Sequence, residues 1–276
     1  MPFLYPDTRL ILENTVKYFD VHCHVFPDNV APKVVASLES HYHEPWRRTG
    51  TVADLHESLE DAGIDKAVFL SSATRPDQVR NINDYLASLL GPKVVCLGSL
   101  HPDYADCKGE LERMKEIGLT GLKFHPDFQK LYIDEPKMMR MYELIPPEMP
   151  ILFHVGDVKY DYSSPKRLAN MLDHFPHLKN IIAAHMGGYS VWDDSWKYLV
   201  GRDVWFDTSS TFFKLPPHEV KRMILAHGVD RILWATDYPA LSHRDGIAEA
   251  RTLDLTEEQF EKIFYKNAER LFGVTL

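Results

Sequence analysis

Two histidines separated by a single residue, His22 and His24, come directly after the apolar run 18–21. Side chains two residues apart on an extended strand face the same side, so both imidazoles can reach one metal ion. Two nitrogen atoms alone make a weak metal site. The pair therefore needs partners from other parts of the chain if it is to do metal chemistry.

Three more residues of suitable chemistry each come at the end of a later apolar run, and they are His154, His185 and Asp237. A histidine with a purely structural role has no reason to occupy strand ends again and again. Imidazoles with one carboxylate suit a divalent cation that keeps a position open for water. The predicted metal ligands are His22, His24, His154 and Asp237. The predicted general acid or base is His185, and Asp237 is counted beside it as a second catalytic residue.

The chemistry of such a site comes from the bound ion. A divalent metal lowers the pKa of its bound water to about 7 and polarises a substrate carbonyl. We expect one divalent ion per chain, with zinc favoured and manganese as the alternative.

Short apolar runs alternate with longer amphipathic stretches along the whole chain. Strands are predicted at 18–21, 67–71, 94–98, 121–124, 150–153, 180–184, 204–207 and 231–236. Helices are predicted at 77–90, 107–117, 136–144 and 193–199, and further helices open at 164–165, at 216–217 and at the capping-box pattern 256–259. This alternation predicts an α/β fold, a (β/α)8 TIM barrel, as a single domain over residues 1–276.

A barrel of this kind determines where the candidate residues meet. Barrel enzymes carry their chemistry at the C-terminal ends of the strands, which is where all five candidates lie. Between His22 and Asp237 they draw on nearly the whole sequence, so a closed barrel is needed to bring them together.

Composition excludes several kinds of partner. The net charge is -9 and there is no basic block, which argues against nucleic acids and anionic membranes. The 3 cysteines make a sparse, odd set, so disulfides are not expected and a reducing compartment is favoured. Residues 1–7 show no secretory signal, and no apolar run reaches the roughly 20 residues that span a bilayer. We expect a cytoplasmic protein with a small-molecule substrate, and a homodimer is left open as its assembly.

Six short motifs carry a family resemblance. They are DVHCH at 20–24, GLKFHP at 121–126, FHVG at 153–156, AHMGG at 184–188, ATDYP at 235–239 and KNAERLFG at 266–273. In this order they make the sequence similar to the amidohydrolase superfamily, and within it to the amidohydrolase-2 branch, which includes aminocarboxymuconate-semialdehyde decarboxylase-like enzymes. The resemblance implies a distorted barrel and a divalent metal. It implies hydrolysis of amides and lactones or non-oxidative decarboxylation of unsaturated or aromatic acids, with the same ligand and acid–base roles as above.

The fourth predicted strand adds two candidate substrate-binding residues. Lys123 and His125 share the same parity, so both side chains are expected in the barrel mouth. Some members of the superfamily carboxylate a lysine on this strand to bridge two metals, and that binuclear site is the less favoured alternative to one ion. Otherwise Lys123 contacts a substrate carboxylate or is a salt-bridged interior cation. His125 is either a substrate contact or a structural hydrogen-bonding group.

The segment after the first strand holds a third substrate-binding candidate. Arg47 lies in a Trp-Arg-Arg cluster and offers a guanidinium for a carboxylate, although a solvated surface pair is the alternative. His41 and His43, in a polar segment without a flanking strand, are interpreted as loop residues. Aromatic residues on strand-end loops, such as Phe26 and Trp192, are expected to face the substrate.

Two enzymatic activities fit these residues. The favoured one is hydrolysis of a small, carboxylate-bearing amide, ester or lactone, because no decarboxylase-type arginine motif is convincing. The alternative is non-oxidative decarboxylation of a small unsaturated or aromatic acid. A non-catalytic binding module is disfavoured, since neither a ligand nor the base is missing.

Overall fold

A computed structural model describes residues 16–276, and it contains an eight-stranded parallel sheet in the order β1 to β8. The sheet closes on itself, because the backbone N–H of Val21 donates to the carbonyl of Trp234 at 3.2 Å and that of His24 to Tyr238 at 2.7 Å. The fold is therefore the TIM barrel that the sequence predicts. The prediction that residues 1–7 lack a secretory signal lies outside the described residues.

The barrel strands are short, and most are buried along their whole length. They are β1 (Phe19–His24), β2 (Lys66–Leu70), β3 (Val94–Gly98), β4 (Gly121–Phe124), β5 (Ile151–Phe153), β6 (Ile181–Ala183), β7 (Trp205–Asp207) and β8 (Ile232–Leu233). Strands covered on both faces carry continuous apolar runs, which explains why the sequence pattern locates all eight.

Helices fill the connections between the strands. They are α1 (Ala31–Tyr42), α2 (Val52–Ala62), α3 (Val79–Ser88), α4 (Cys107–Glu116), α5 (Pro126–Gln129), α6 (Pro136–Tyr142), α7 (Pro165–His174), α8 (Ala184–Gly187), α9 (Trp192–Tyr198), α10 (Pro217–His227), α11 (His243–Ala250), α12 (Glu257–Glu261) and α13 (Asn267–Phe272). A π-helical turn, Lys262–Lys266, joins the last two. None of these helices is both long and apolar enough to cross a membrane.

Two apolar layers hold the barrel together. Val21, Val68 and Leu70 belong to the cluster that fills the barrel interior. Cys23 and Phe69 belong to the larger cluster between the strands and the helices. Successive side chains along a strand point to opposite faces, so neighbouring residues of a strand belong to different layers.

An irregularity in β1 directs the first histidine pair. Asp20 pairs with Ala67 and Cys23 with Phe69, so two residues of β1 lie opposite one residue of β2. Such a bulge shifts the parity of the strand. The inward-facing positions therefore change from Val21 below the bulge to His22 and His24 above it.

The interpretation of His41 as a loop residue is wrong. It lies in α1, and His43 ends that helix with a left-handed φ of 58°. The helix was not predicted because its polar stretch masks an apolar stripe at Val34, Leu38 and Tyr42, which faces the mouth of the barrel.

Candidate active site

A cavity of about 740 Å³, including its open mouth, lies at the C-terminal end of the barrel. Its closed end is formed by residues at or just after strand ends, namely His24, Ser71, His125, His154, His185, Ser210 and Asp237. Its walls are largely aromatic, with Phe26, Tyr42, Trp46, Phe128, Tyr189 and Phe213. The cavity therefore combines an apolar body with one polar end, which is typical of small-molecule sites.

Three of the four predicted metal ligands come together at the closed end. Potential ligand atoms of His22, His24 and Asp237 all lie within 4.8 Å of one another. Nε2 of His22 is 3.2 Å from Nε2 of His24, and each of these atoms is 3.4 Å from Oδ1 of Asp237. These three residues form what we call the ligand cluster.

A buried carboxylate determines which nitrogen of His22 faces the cluster. Nδ1 of His22 lies 3.0 Å from Oδ2 of Asp207, and because an ionised carboxylate only accepts, Nδ1 carries the proton. Burial, and secondarily Lys123, lowers the pKa of His22 to about 3. Burial acts to raise the pKa of Asp207, but His22, His185 and Ser209 stabilise the anion and bring it to about 2. Nε2 of His22 is thus an unprotonated donor atom aimed at the other ligands.

His154 and His185 face each other beside the ligand cluster. Nε2 of His154 donates to the carbonyl of Gly156 at 2.8 Å, and Nδ1 of His185 donates to that of Ser209 at 3.0 Å. The remaining nitrogens, Nδ1 of His154 and Nε2 of His185, are 3.0 Å apart. In neutral rings both of these atoms carry lone pairs, so the contact requires a cation or a proton.

This set of donor atoms fits a divalent cation. Burial keeps the pKa of His154 well below its usual range, which disfavours an added proton on this ring. Nε2 of His22, Nε2 of His24 and the Asp237 carboxylate converge on one region, and a cation is the group that such lone pairs need. Asp237 itself has a pKa held low by His22, His24 and His185 against the effect of burial.

The position of His154 differs from the prediction in one respect. Its ligand-competent atoms group with His125 and Asp127 rather than with the ligand cluster. The ring of His185 lies between His154 and the ligand cluster. Its centroid is 4.8 Å from that of His154 and 5.4 Å from that of His22. The assignment of His154 to the metal and of His185 to proton transfer stays a prediction.

Lys123 lies against the ligand cluster and is absent from the cavity wall. Its side chain is fully buried, with Nζ 3.0 Å from Nε2 of His22. Burial lowers the pKa of Lys123 to about 8, although Asp237 and Asp207 counteract the effect. This position favours a role at the ligand cluster over direct contact with a substrate carboxylate.

His125 does line the cavity, as predicted. Its ring stacks on that of His154 with centroids 4.0 Å apart, and its Nε2 lies 3.1 Å from the hydroxyl of Tyr42. The stacking fixes the ring at the junction between the closed end and the aromatic wall, and its role as a substrate contact stays a prediction.

The structure does not support Arg47 as a substrate-binding residue. Its side chain is half exposed and pairs with Asp245 at 3.1 Å, and the residue is absent from the cavity wall. Its neighbour Trp46 faces the cavity instead. Phe26 lines the cavity as expected, whereas the indole of Trp192 is buried and donates to the carbonyl of His185.

Sequence reasoning missed several residues of the site. Asp207 holds the Nδ1 proton of His22 and also accepts from the backbone N–H of His185 at 2.9 Å. It ends β7, so it carries the same positional signal as the predicted ligands. Asp127 and Tyr42 had no comparable signal, because they come from helices α5 and α1, which the sequence pattern did not predict.

Left-handed backbone conformations occur at three residues of the site. His185, Ser210 and Asp237 have φ values of 59°, 49° and 61°. Residues other than glycine adopt this region at a cost, and they do so where the surrounding structure enforces it. Each residue follows a strand end, where the turn directs its side chain back over the barrel.

Comparison with known proteins agrees with this site. The family model described as amidohydrolase, of the second amidohydrolase type, matches residues 19–274. The chain belongs to this amidohydrolase family. It is an enzyme of the family, with the TIM-barrel fold described above.

The relatives of this family member include several decarboxylases. Decarboxylase orsB of Emericella nidulans is 30% identical over 128 residues, a stretch that spans 38% of this chain and 38% of the length of that relative. 5-Carboxyvanillate decarboxylase LigW of Sphingomonas paucimobilis is 20% identical with a TM-score of 0.74, covering 95% of this chain and 100% of that chain. Dihydroxybenzoic acid decarboxylase of Polaromonas sp. JS666, solved with manganese and 2-nitroresorcinol, is 19% identical with a TM-score of 0.68, covering 93% and 97%. At these identities the two solved structures share the fold.

Proposed function

We propose that this amidohydrolase family member is a metal-dependent carboxy-lyase that removes the carboxylate of a small aromatic acid as carbon dioxide. The sequence alone favoured hydrolysis, because no arginine motif for a substrate carboxylate was found. That reason carries less weight here, because the polar end of the cavity is formed by the ligand cluster, which offers a candidate metal site instead of an arginine for a substrate carboxylate. The decarboxylases among the relatives support the same choice.

One observation carries the proposal, namely an aromatic cavity with His24 and Asp237 of the ligand cluster at its closed end. Phe26, Trp46 and Phe128 stand on its walls, and no lysine or arginine occurs among the described residues that line it. A flat ring fits between such walls with its carboxylate at the closed end.

His22, His24, His154 and Asp237 would hold the metal ion in this proposal. The ion, when bound, supplies Lewis-acid stabilisation for substrate oxygen atoms. Nitrogen-rich ligands favour zinc, and manganese, which the Polaromonas enzyme carries, is the alternative that metal analysis would distinguish. Asp207 keeps His22 in the tautomer that ligation needs.

A side chain of the protein would donate the proton that replaces the carboxylate. The bond between the ring carbon and the carboxylate breaks, the electron pair stays on the ring carbon, and carbon dioxide leaves. The ring carbon then takes one proton, so one carboxylate anion and one proton give one arene and one carbon dioxide. We assign delivery of this proton to Nε2 of His185, because its Nδ1 is engaged by Ser209. The aromatic walls keep bulk water from the ring.

Turnover in heavy water tests the proposal. Metal-loaded protein is incubated in D₂O with a panel of hydroxybenzoates, and the products are analysed by NMR. We expect an arene with one deuterium at the carbon that carried the carboxylate. Hydrolysis of lactones or amides, with every aromatic acid left intact, would favour the hydrolase interpretation instead.

A further inference from the structure

We infer that the cavity selects aromatic acids whose far end is uncharged, and that Glu44 is the residue that disfavours a second carboxylate there. The inference rests on the proposed function insofar as the first carboxylate occupies the closed end.

The charges on the cavity wall are unevenly distributed. Among the lining residues that the structure describes, the carboxylates are Asp237 and Glu44, and there is no lysine or arginine. Asp237 belongs to the ligand cluster, so its charge is matched by a bound cation. Glu44 lies elsewhere on the wall, and about a third of its side chain is exposed to solvent at the mouth.

Lys214 is the counter-ion of Glu44. Its Nζ is 3.8 Å from Oε1 of Glu44 and 5.0 Å from the ring centroid of Tyr189. The ring of Tyr189 separates it from the cavity, since Tyr189 lines the wall and Lys214 does not. Glu44 therefore uses the positive charge that would otherwise be available to an anionic substituent at the mouth.

A substrate held by its carboxylate at the closed end places its opposite edge toward this pair. A second carboxylate at that edge meets Glu44, whose like charge is repulsive, and no cation on the wall. A hydroxyl or amide at the same edge meets no such repulsion.

Three aromatic acids, two of which have nearly equal shape, test this selectivity by calorimetric binding to the metal-loaded protein. They are 2-hydroxybenzoate, 4-carbamoyl-2-hydroxybenzoate and 2-hydroxyterephthalate, which differ at the edge opposite the first carboxylate. We expect the carbamoyl compound to bind at least about tenfold more tightly than the terephthalate, which differs from it by one charge. Equal affinities, tighter binding of the terephthalate, or no binding of any of the three would overturn the inference.

Two variants and a matched control test whether the selectivity comes from Glu44 and its counter-ion Lys214. Glu44→Gln should reduce the ratio of affinities to about threefold or invert it, because the negative charge on the wall is removed and Lys214 is left without its counter-ion. Lys214→Gln should increase the ratio. Glu258→Gln serves as the control, because Glu258 forms a surface pair with Lys262 at the same 3.8 Å. An unchanged ratio in Glu44→Gln would contradict the assignment to Glu44.

Binding and turnover separate this inference from the proposed function. If the ligands bind in the expected order but none loses carbon dioxide, the charge selectivity stands and the decarboxylase proposal fails. If the acids are decarboxylated but bind with equal affinity, the decarboxylase proposal stands and the charge selectivity fails.

Discussion

Nδ1 of His22 lies 3.0 Å from Oδ2 of Asp207, with both side chains fully buried. The contact links the ligand cluster at the end of β1 to the end of β7, across the closed barrel. It determines that Nε2, and not Nδ1, is the donor atom of His22.

Asp207→Asn tests this relationship. The amide can present an N–H to Nδ1 of His22, which stabilises the tautomer unsuited to ligation. We expect metal affinity to fall by roughly 10- to 100-fold, the usual effect of removing such a partner. Competition with a chromogenic chelator measures it. Asp203→Asn, at a half-exposed surface carboxylate, is the control, and a similar loss there would show that the effect is not specific to His22.

Single alanine substitutions distinguish ligation from proton transfer. His185→Ala should keep most of the metal and lose activity by roughly 10²- to 10⁴-fold, as expected for a general acid–base group. His22→Ala and Asp237→Ala should lose metal and activity together. Elemental analysis beside the activity assay gives both quantities. A metal-free His185→Ala protein with full occupancy in His154→Ala would mean that these two roles are exchanged.

Substitution of Arg47 should have little effect on catalysis. Its guanidinium pairs with Asp245 in a half-exposed contact and does not line the cavity. We expect KM and kcat of Arg47→Ala to stay within about twofold of the wild type, since exposed pairs of this kind contribute little. A rise in KM of tenfold or more would restore the sequence-based role of Arg47.

The buried ring of His227 should make the free energy of unfolding depend on pH. Burial lowers its pKa to about 4, and Nδ1 already accepts from the N–H of Gly201 at 3.1 Å, which a second ring proton would prevent. The unfolded chain binds that proton near pH 6.5, so the free energy of unfolding falls as pH falls from about 6.5 to 4. This residue contributes about 2 kcal/mol of that loss between pH 7 and pH 5.

Denaturant unfolding at both pH values measures this contribution. His227→Asn should lose less stability between pH 7 and pH 5 than the wild type, by about 2 kcal/mol. His218→Asn, at an exposed position, is the control and should behave as the wild type. The same pH response in His227→Asn and the wild type would contradict the prediction.

The barrel and much of the site could be predicted because they depend on local patterns. Apolar runs bounded by helical stretches located all eight strands, and strand ends located His22, His24, His185 and Asp237. The wall of the cavity could not be predicted in this way. It depends on α1, whose apolar stripe is interrupted by polar residues, and on side-chain directions after the strands.

Two features of the fold depend on contacts between distant parts of the chain. The bulge in β1 changes which residues face inward, and no local signal in the sequence marks it. Arg47 has a sequence position close to the mouth, but its direction is decided by Asp245, nearly 200 residues later, as a tertiary contact. Asp207 is different, since its strand-end position was visible in the sequence.

The fate of a labelled carboxylate carbon tests most directly the claim that this protein is a metal-dependent decarboxylase. Hydroxybenzoates labelled with ¹³C at the carboxylate are incubated with metal-loaded protein, with chelator-treated protein, and with treated protein to which zinc or manganese is returned. We predict that the ¹³C signal moves to carbon dioxide and bicarbonate with the metal-loaded protein, stays on the acid after chelation, and moves again when the metal is returned. A signal that stays on the carboxylate in every sample, or that leaves it equally well without metal, would contradict the account.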